Sequence, residues 1–149
     1  MKVRDIMDPS PDIIRTSDTF EHLIKILNEV KYHVVFVVDK EEKLVGIVTE
    51  GDIIKVLIPK YVAVDESLIS VMDVNYFERK CRESKNLPIN EIMSKVTFMV
   101  GEEDPIIKAA ALMVMNKIQT IPGVRNGKVG GIVPRLTLIK HITKVLKGA

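Results

Sequence analysis

The sequence predicts a mixed α/β fold of the α+β type, built from two pseudo-symmetric helix–strand–strand–helix repeats packed sheet to sheet. Three observations predict it. Val3-Arg4-Asp5-Ile6-Met7 returns as Ile89-Asn90-Glu91-Ile92-Met93 at an offset of 86. Asp18, Phe20, Leu27 and Lys31 then fall on Asp104, Ile106, Met113 and Lys117 at the same offset. After a turn one residue shorter, Leu44-Val45-Gly46-Ile47-Val48 matches Val129-Gly130-Gly131-Ile132-Val133 at an offset of 85. Exposed turns tolerate such a one-residue change, and an internal repeat sets the architecture before any single element does.

In the first copy, Asp18 is the expected N-cap, and Glu21 three residues on completes a capping-box-like pair. Phe20, Leu23, Ile24, Leu27 and Val30 then follow helical spacing and give one apolar face. Val34 to Val38 is an unbroken β-branched and aromatic run, suited to a strand covered on both faces. The polar turn Asp39 to Lys43 leads into a strand from Leu44 to Thr49. Ile53, Ile54, Val56 and Leu57 open a second helix that must end before Pro59. In the second copy Asp104 caps a helix with Pro105 at its first position, where a missing N–H costs nothing. Ile106, Ile107, Ala110, Met113 and Val114 form its inner face. Asn126-Gly127 signals a two-residue hairpin before a strand from Val129 to Val133, and a last helix runs from about Leu136 to Leu146.

Residues 1–58 thus form repeat one, 59–88 a linker and 89–149 repeat two. About 60 residues bury too little surface to be comfortably stable alone, so the two sheets should pack together and leave a cleft near the pseudo-twofold axis. The linker is too long to be structureless. Its stretch from Ser67 to Cys81 is expected to hold helix.

Composition narrows the function. With 149 residues, 46% hydrophobic and 28% charged, and 8 glycines and 7 prolines, the chain is neither disordered nor fibrous. Its longest apolar runs, Val34 to Val38 and Ala109 to Met115, fall far short of the ~20 residues that span a bilayer. No apolar segment near the start suits a secretory signal. A soluble, cytoplasmic protein is expected. The single Cys81 has no disulfide partner, and no His/Cys spacing suits zinc. Residues 1–58 carry 8 basic and 11 acidic groups, whereas 89–149 carry 9 basic and 4 acidic, with no acid after Asp104. That asymmetry suits an anionic partner, nucleic acid included, or a basic half that complements an acidic half within the molecule.

Gly46-Ile47-Val48-Thr49-Glu50-Gly51-Asp52 has the form G-x-x-T-x-x-D across a strand end and a helix start. Within a doubled unit whose copies each open on an Ile-Met segment, it resembles the cystathionine β-synthase (CBS) domain pair, or Bateman module, over about residues 3–58 and 89–147. The resemblance implies a regulatory module that senses AMP, ADP, ATP or S-adenosylmethionine in the cleft between repeats. It also implies a homodimer and an unidentified regulated protein. Asp52 would accept hydrogen bonds from both ribose hydroxyls, and Thr49 would contact ribose or phosphate.

The chemistry suits these roles. An ionised carboxylate accepts two neighbouring hydroxyls at once. The first helical turn keeps it ionised and presents free N–H groups to phosphate. Gly46 suits a close approach of backbone. His33 stands where some members use a His-Arg pair on phosphate, although Val34 replaces the arginine and Phe36 the usual proline. Ile13, Ile14 and Val35 match the apolar segments that sandwich adenine, while Arg135 and Lys117 are further cations that could face the cleft. The second copy departs from the pattern: Pro134 replaces the threonine and Thr137 the aspartate, so one good site per chain is expected.

No catalytic constellation emerges. Gly123 to Val129 superficially resembles a phosphate loop, but the spacing is short and no Ser or Thr follows Lys128. His22, His33 and His141 are scattered, and no nucleophile, base and orienting group assemble. Neither an enzyme activity nor a metal is expected. A nucleic-acid or protein-docking role for the basic second repeat is the alternative reading. Few aromatics argue against base stacking, but not against phosphate-backbone contact.

Overall fold

The structure, a computed structural model, describes residues 1–96 and 98–148. The chain forms two compact units. One comprises Ile13–Val37 and Gly46–Lys95; the other comprises Met1–Asp12, Val38–Val45 and the chain from Val96 onward. The architecture is mixed α/β with two sheets, and the units do not simply follow the two sequence repeats.

The unit carrying Gly46–Lys95 is built on a four-stranded sheet in the order β1 (Ile13–Arg15), β2 (Val34–Val38), β3 (Leu44–Thr49) and β4 (Ser94–Lys95). All five residues of β2 are buried, as expected of a strand covered on both faces. The two-residue β4 runs antiparallel to β3 and sets Ser94 opposite Ile47 and Lys95 opposite Gly46. Helices α1 (Phe20–Leu27), α2 (Glu50–Leu57) and α3 (Tyr76–Glu83) belong to this unit. Between α2 and α3 the linker carries 3₁₀ turns at Lys60–Ala63 and Glu66–Val71.

Two helix starts correct the sequence expectation. Thr19, not Asp18, caps α1, its hydroxyl accepting from the His22 amide at 3.4 Å. Asp18 instead closes the preceding turn, accepting from the Arg15 amide at 3.0 Å and lying 3.1 Å from His22 Nδ1. Asp104 repeats that arrangement 86 residues on, with the Gly101 amide at 2.7 Å and Lys108 Nζ at 3.0 Å. Pro105 then occupies the N-cap of α4 (Ile106–Asn116). A short acid before a helix can close a turn or cap the helix, and sequence spacing does not separate the two.

The second unit contains β5 (Val100–Gly101), β6 (Thr120–Arg125) and β7 (Lys128–Pro134), followed by α5 (Arg135–Leu146). Strand β5 lies parallel to β6, which pairs antiparallel with β7. Asn126 and Gly127, at φ 54° and 77°, make the hairpin between them; positive φ at both positions is the turn that matches strand twist. Val3, Val100, Ala109, Met113, Ile121 and Val133 form this unit's core, with Ile6, Met7 and Leu138 packed against it.

The opening segment of each repeat joins elements of the other repeat. In the second unit, the Val3 amide donates to the Asp104 carbonyl at 2.8 Å, and Asp8 exchanges two backbone bonds with Ile132 at 2.8 and 2.9 Å. In the first unit, Ile89 donates to the Asp18 carbonyl at 2.9 Å and Phe20 to the Leu87 carbonyl at 2.8 Å. Val3→Asp104 and Ile89→Asp18 are the same contact under the repeat offset. Met7 and Met93 sit correspondingly against Gly131 and Gly46.

Part of the basic excess after Asp104 is neutralised locally. Asp104 holds Lys108 and Glu102 holds Arg125, whereas Glu103 is taken by Lys2 and Arg4 from the opening segment. The Gly101 amide, and after it the Lys108 side chain, keep the Asp104 carboxyl below the usual aspartate range. A depressed value in the folded state contributes stability that is complete above the unfolded pKa of ~3.9 and is lost as pH falls through the folded value. Asp104→Asn should therefore be less stable than the parent at neutral pH, with the gap closing below about pH 4. Urea denaturation at a series of pH values checks this.

Candidate functional site

The best-defined polar cluster lies where β3 passes into α2. Thr49 ends the strand with extended backbone and is the N-cap of α2; Asp52 occupies the third helical position. That spacing returns the Asp52 carboxylate to its own cap. Asp52 Oδ2 accepts from the Thr49 amide at 2.9 Å and from the Thr49 hydroxyl at 3.2 Å. Its other oxygen, Oδ1, accepts from the Ser94 hydroxyl at 2.9 Å.

Sequence reasoning missed Ser94. It lies 42 residues from Asp52, and only the pairing of β4 on β3 brings it in. Its sole signal was its place directly after the repeated Ile-Met pair.

A carboxylate offers about four lone-pair positions, and these three donors occupy three of them. An incoming pair of vicinal hydroxyls would take the open position on Oδ1 and displace one side-chain hydroxyl. Thr49 Oγ1 and Ser94 Oγ can rotate away, whereas the Thr49 amide is fixed by the backbone. Exchanging one hydroxyl donor for another at this carboxylate would cost little net, because one charge-assisted bond replaces another of the same kind.

The other expected residues are distributed as follows. His33 precedes β2 with φ 59°, and its Nδ1 lies 3.6 Å from Glu50 Oε2 on the first turn of α2. That carboxylate would repel a phosphate at His33. Ile13 and Ile14 lie on β1, with Ile13 40% exposed and Ile14 buried; Val35 is fully buried in β2. Only Ile13 of the three presents open apolar surface. Arg135 starts α5 and Lys117 ends α4 in left-handed conformation; both belong to the other unit.

The second copy of the motif lacks the acceptor. Pro134 is the N-cap of α5 with no side-chain cap bond, and Thr137 stands at the position equivalent to Asp52. One copy of the cluster, not two, carries a carboxylate.

Beside Asp52 and Ser94 opens a cavity of about 590 Å³, walled by α2, the linker and α3. Among the described residues no three His, Cys, Asp or Glu side chains gather as metal ligands, and no helix is long and apolar enough to cross a membrane.

The CBS domain family model matches residues 3–59 and 89–144. Among solved structures, the CBS domain of a CBS-domain-containing membrane protein from Sphaerobacter thermophilus is 29% identical, with a TM-score of 0.73 over 94% of this chain and 86% of that one. CBSX2 in complex with AMP is 22% identical, with a TM-score of 0.71 and 97% of both chains covered. The CBS domain pair of MJ0100, in complex with 5-methylthioadenosine and S-adenosyl-L-methionine, is 23% identical with a TM-score of 0.69, again over 97% of both. The last two share the fold. Among curated relatives from Methanocaldococcus jannaschii, the chain spans 91% of MJ1426 at 26% identity and 33% of MJ1404 at 30% identity.

Proposed function

The chain belongs to the CBS domain family, and from that premise we propose that it is a regulatory module that binds an adenosine-containing ligand and thereby controls a partner protein. The ligand class is AMP, ADP, ATP or S-adenosylmethionine. The observation that carries the reading is Asp52: a half-buried carboxylate in the first turn of α2, with two of its three hydrogen bonds made by hydroxyls that a ribose diol can replace. Similar folds bound to AMP and to S-adenosylmethionine support the ligand class. Ile13, 40% exposed on β1, is the apolar side chain available to the base, whereas Ile14 and Val35 are buried. Such a ligand regulates only insofar as it binds one arrangement of the protein better than another.

A thermal-shift series with the four compounds tests this. A ligand at ~100 times its dissociation constant should add about 2.7 kcal/mol of stability, and Thr137→Ala should keep the whole shift. No stabilisation by any of the four would reject the reading.

The same reading includes a homodimer. Helices α4 and α5 leave Ile107, Val114, Leu136, Ile139 and Ile142 at least half exposed, and a largely apolar groove of about 460 Å³ runs between them. Contiguous exposed apolar surface marks an interaction site. Sedimentation velocity should show a dimer for the parent and a monomer for Ile139→Glu; a monomeric parent would remove this part of the proposal.

A further inference from the structure

We infer that α2 and the linker together adapt the Asp52 site to adenosine polyphosphates, with Lys55, Lys60 and Lys80 receiving the phosphates beyond the first. This rests on the ribose reading above and narrows its ligand. The cavity beside Asp52 runs past Ser94 to Lys55 on α2, Lys60 on the first linker turn, and Tyr76 and Lys80 on α3. Lys55 follows Asp52 by three residues and so shares its helix face. Tyr76, Lys80 and Lys60 are all contributed by the segment between the two sequence repeats.

Among the described residues none of these three lysines makes an ion pair, whereas the neighbouring Arg79 and Lys85 are held by Asp73 and Glu21. The three lysines share the cavity wall with Asp52, Glu83 and Glu91, and an ammonium group that no carboxylate holds is available to a phosphate. Lysine binds phosphate as a flexible point charge and tolerates several phosphate positions. At about 590 Å³ the cavity lies within the usual range for small-molecule sites, roughly 300–1,000 Å³.

The candidate ligands differ in what they could offer these amines. S-adenosylmethionine carries a sulfonium and an ammonium against one carboxylate, so the lysines disfavour it. AMP has one phosphate close to the ribose and reaches fewer of them. ADP and ATP extend further charge into the cavity from a ribose fixed at Asp52. Glu83 and Glu91 also line the wall, so a polyphosphate without the nucleoside meets like charge and has no anchor.

Isothermal titration of the full chain with AMP, ADP, ATP, S-adenosylmethionine and inorganic triphosphate tests the inference. The parent should bind ATP about tenfold or more tightly than AMP, the equivalent of at least one added charge-assisted bond, and triphosphate weakly. Lys55→Gln/Lys60→Gln/Lys80→Gln should bring ATP to the AMP level and leave AMP within about twofold, which also shows that the variant is folded. Equal affinity for AMP and ATP in the parent, or an ATP preference that survives in the variant, would overturn the inference while leaving the ribose reading intact. Binding of every compound unchanged by Asp52→Ala would overturn the ribose reading itself.

Discussion

Asp52→Ala should weaken binding of the adenosine ligand by about 100-fold, the loss of two hydrogen bonds to an ionised acceptor. The same change removes the reciprocal capping of α2, so the unliganded protein should lose about 1 kcal/mol as well. The two effects separate in one experiment, because the capping loss appears without ligand and the binding loss only as a missing ligand-induced shift. Ser94→Ala makes the informative comparison. It deletes a hydroxyl that competes for Oδ1, so affinity should hold or rise by a few-fold, even though Ser94 contacts the same carboxylate. A fall in affinity parallel to that of Asp52→Ala would mean that Ser94 contacts the ligand rather than yielding to it.

Gly131→Ala should be among the most damaging single substitutions, costing about 2–3 kcal/mol in chemical denaturation. A methyl group there would lie 2.7 Å from the Asp8 carbonyl oxygen and 3.0 Å from Met7 Cγ. That oxygen accepts from the Ile132 amide, and the Asp8 amide donates back to the Ile132 carbonyl, so the oxygen cannot yield without disturbing this pair. At Gly46, its counterpart, the nearest atoms all belong to the Met93 side chain, which has rotamers to yield with; Gly46→Ala should therefore cost less. Gly51→Ala serves as the control. Its methyl would stand 3.6 Å from the nearest atom, Thr49 Oγ1, and alanine within a helix should be neutral or stabilising by up to about 1 kcal/mol. Equal losses at Gly131 and Gly51 would refute the steric account.

What could be read from the sequence was the local part. Val34 to Val38 is a run with only one sensible environment, Asn126-Gly127 has one favoured turn, and Thr49 and Asp52 are close enough in the chain to imply each other. The cap of α1 was displaced by one residue because Asp18 and Thr19 are both competent acceptors, and only the Arg15 amide decides between them. Ser94 and the cavity lysines were illegible for a different reason. Ser94 comes in through the pairing of β4 on β3, and the lysines are gathered from α2, a 3₁₀ turn and α3, which no local spacing links. The glycines sit between these cases: a close approach at Gly46 was foreseeable, but that a methionine from the other repeat makes it was not.

The crossed placement of the opening segments, Val3 on Asp104 and Ile89 on Asp18, bears on how such a protein survives damage. A protease that cuts the exposed linker would not release two free halves, because each fragment still holds a piece that completes the other's compact unit. The nicked polypeptide should persist as a single particle. The linker could accordingly lengthen, shorten or change composition over evolutionary time without being needed to keep the protein together.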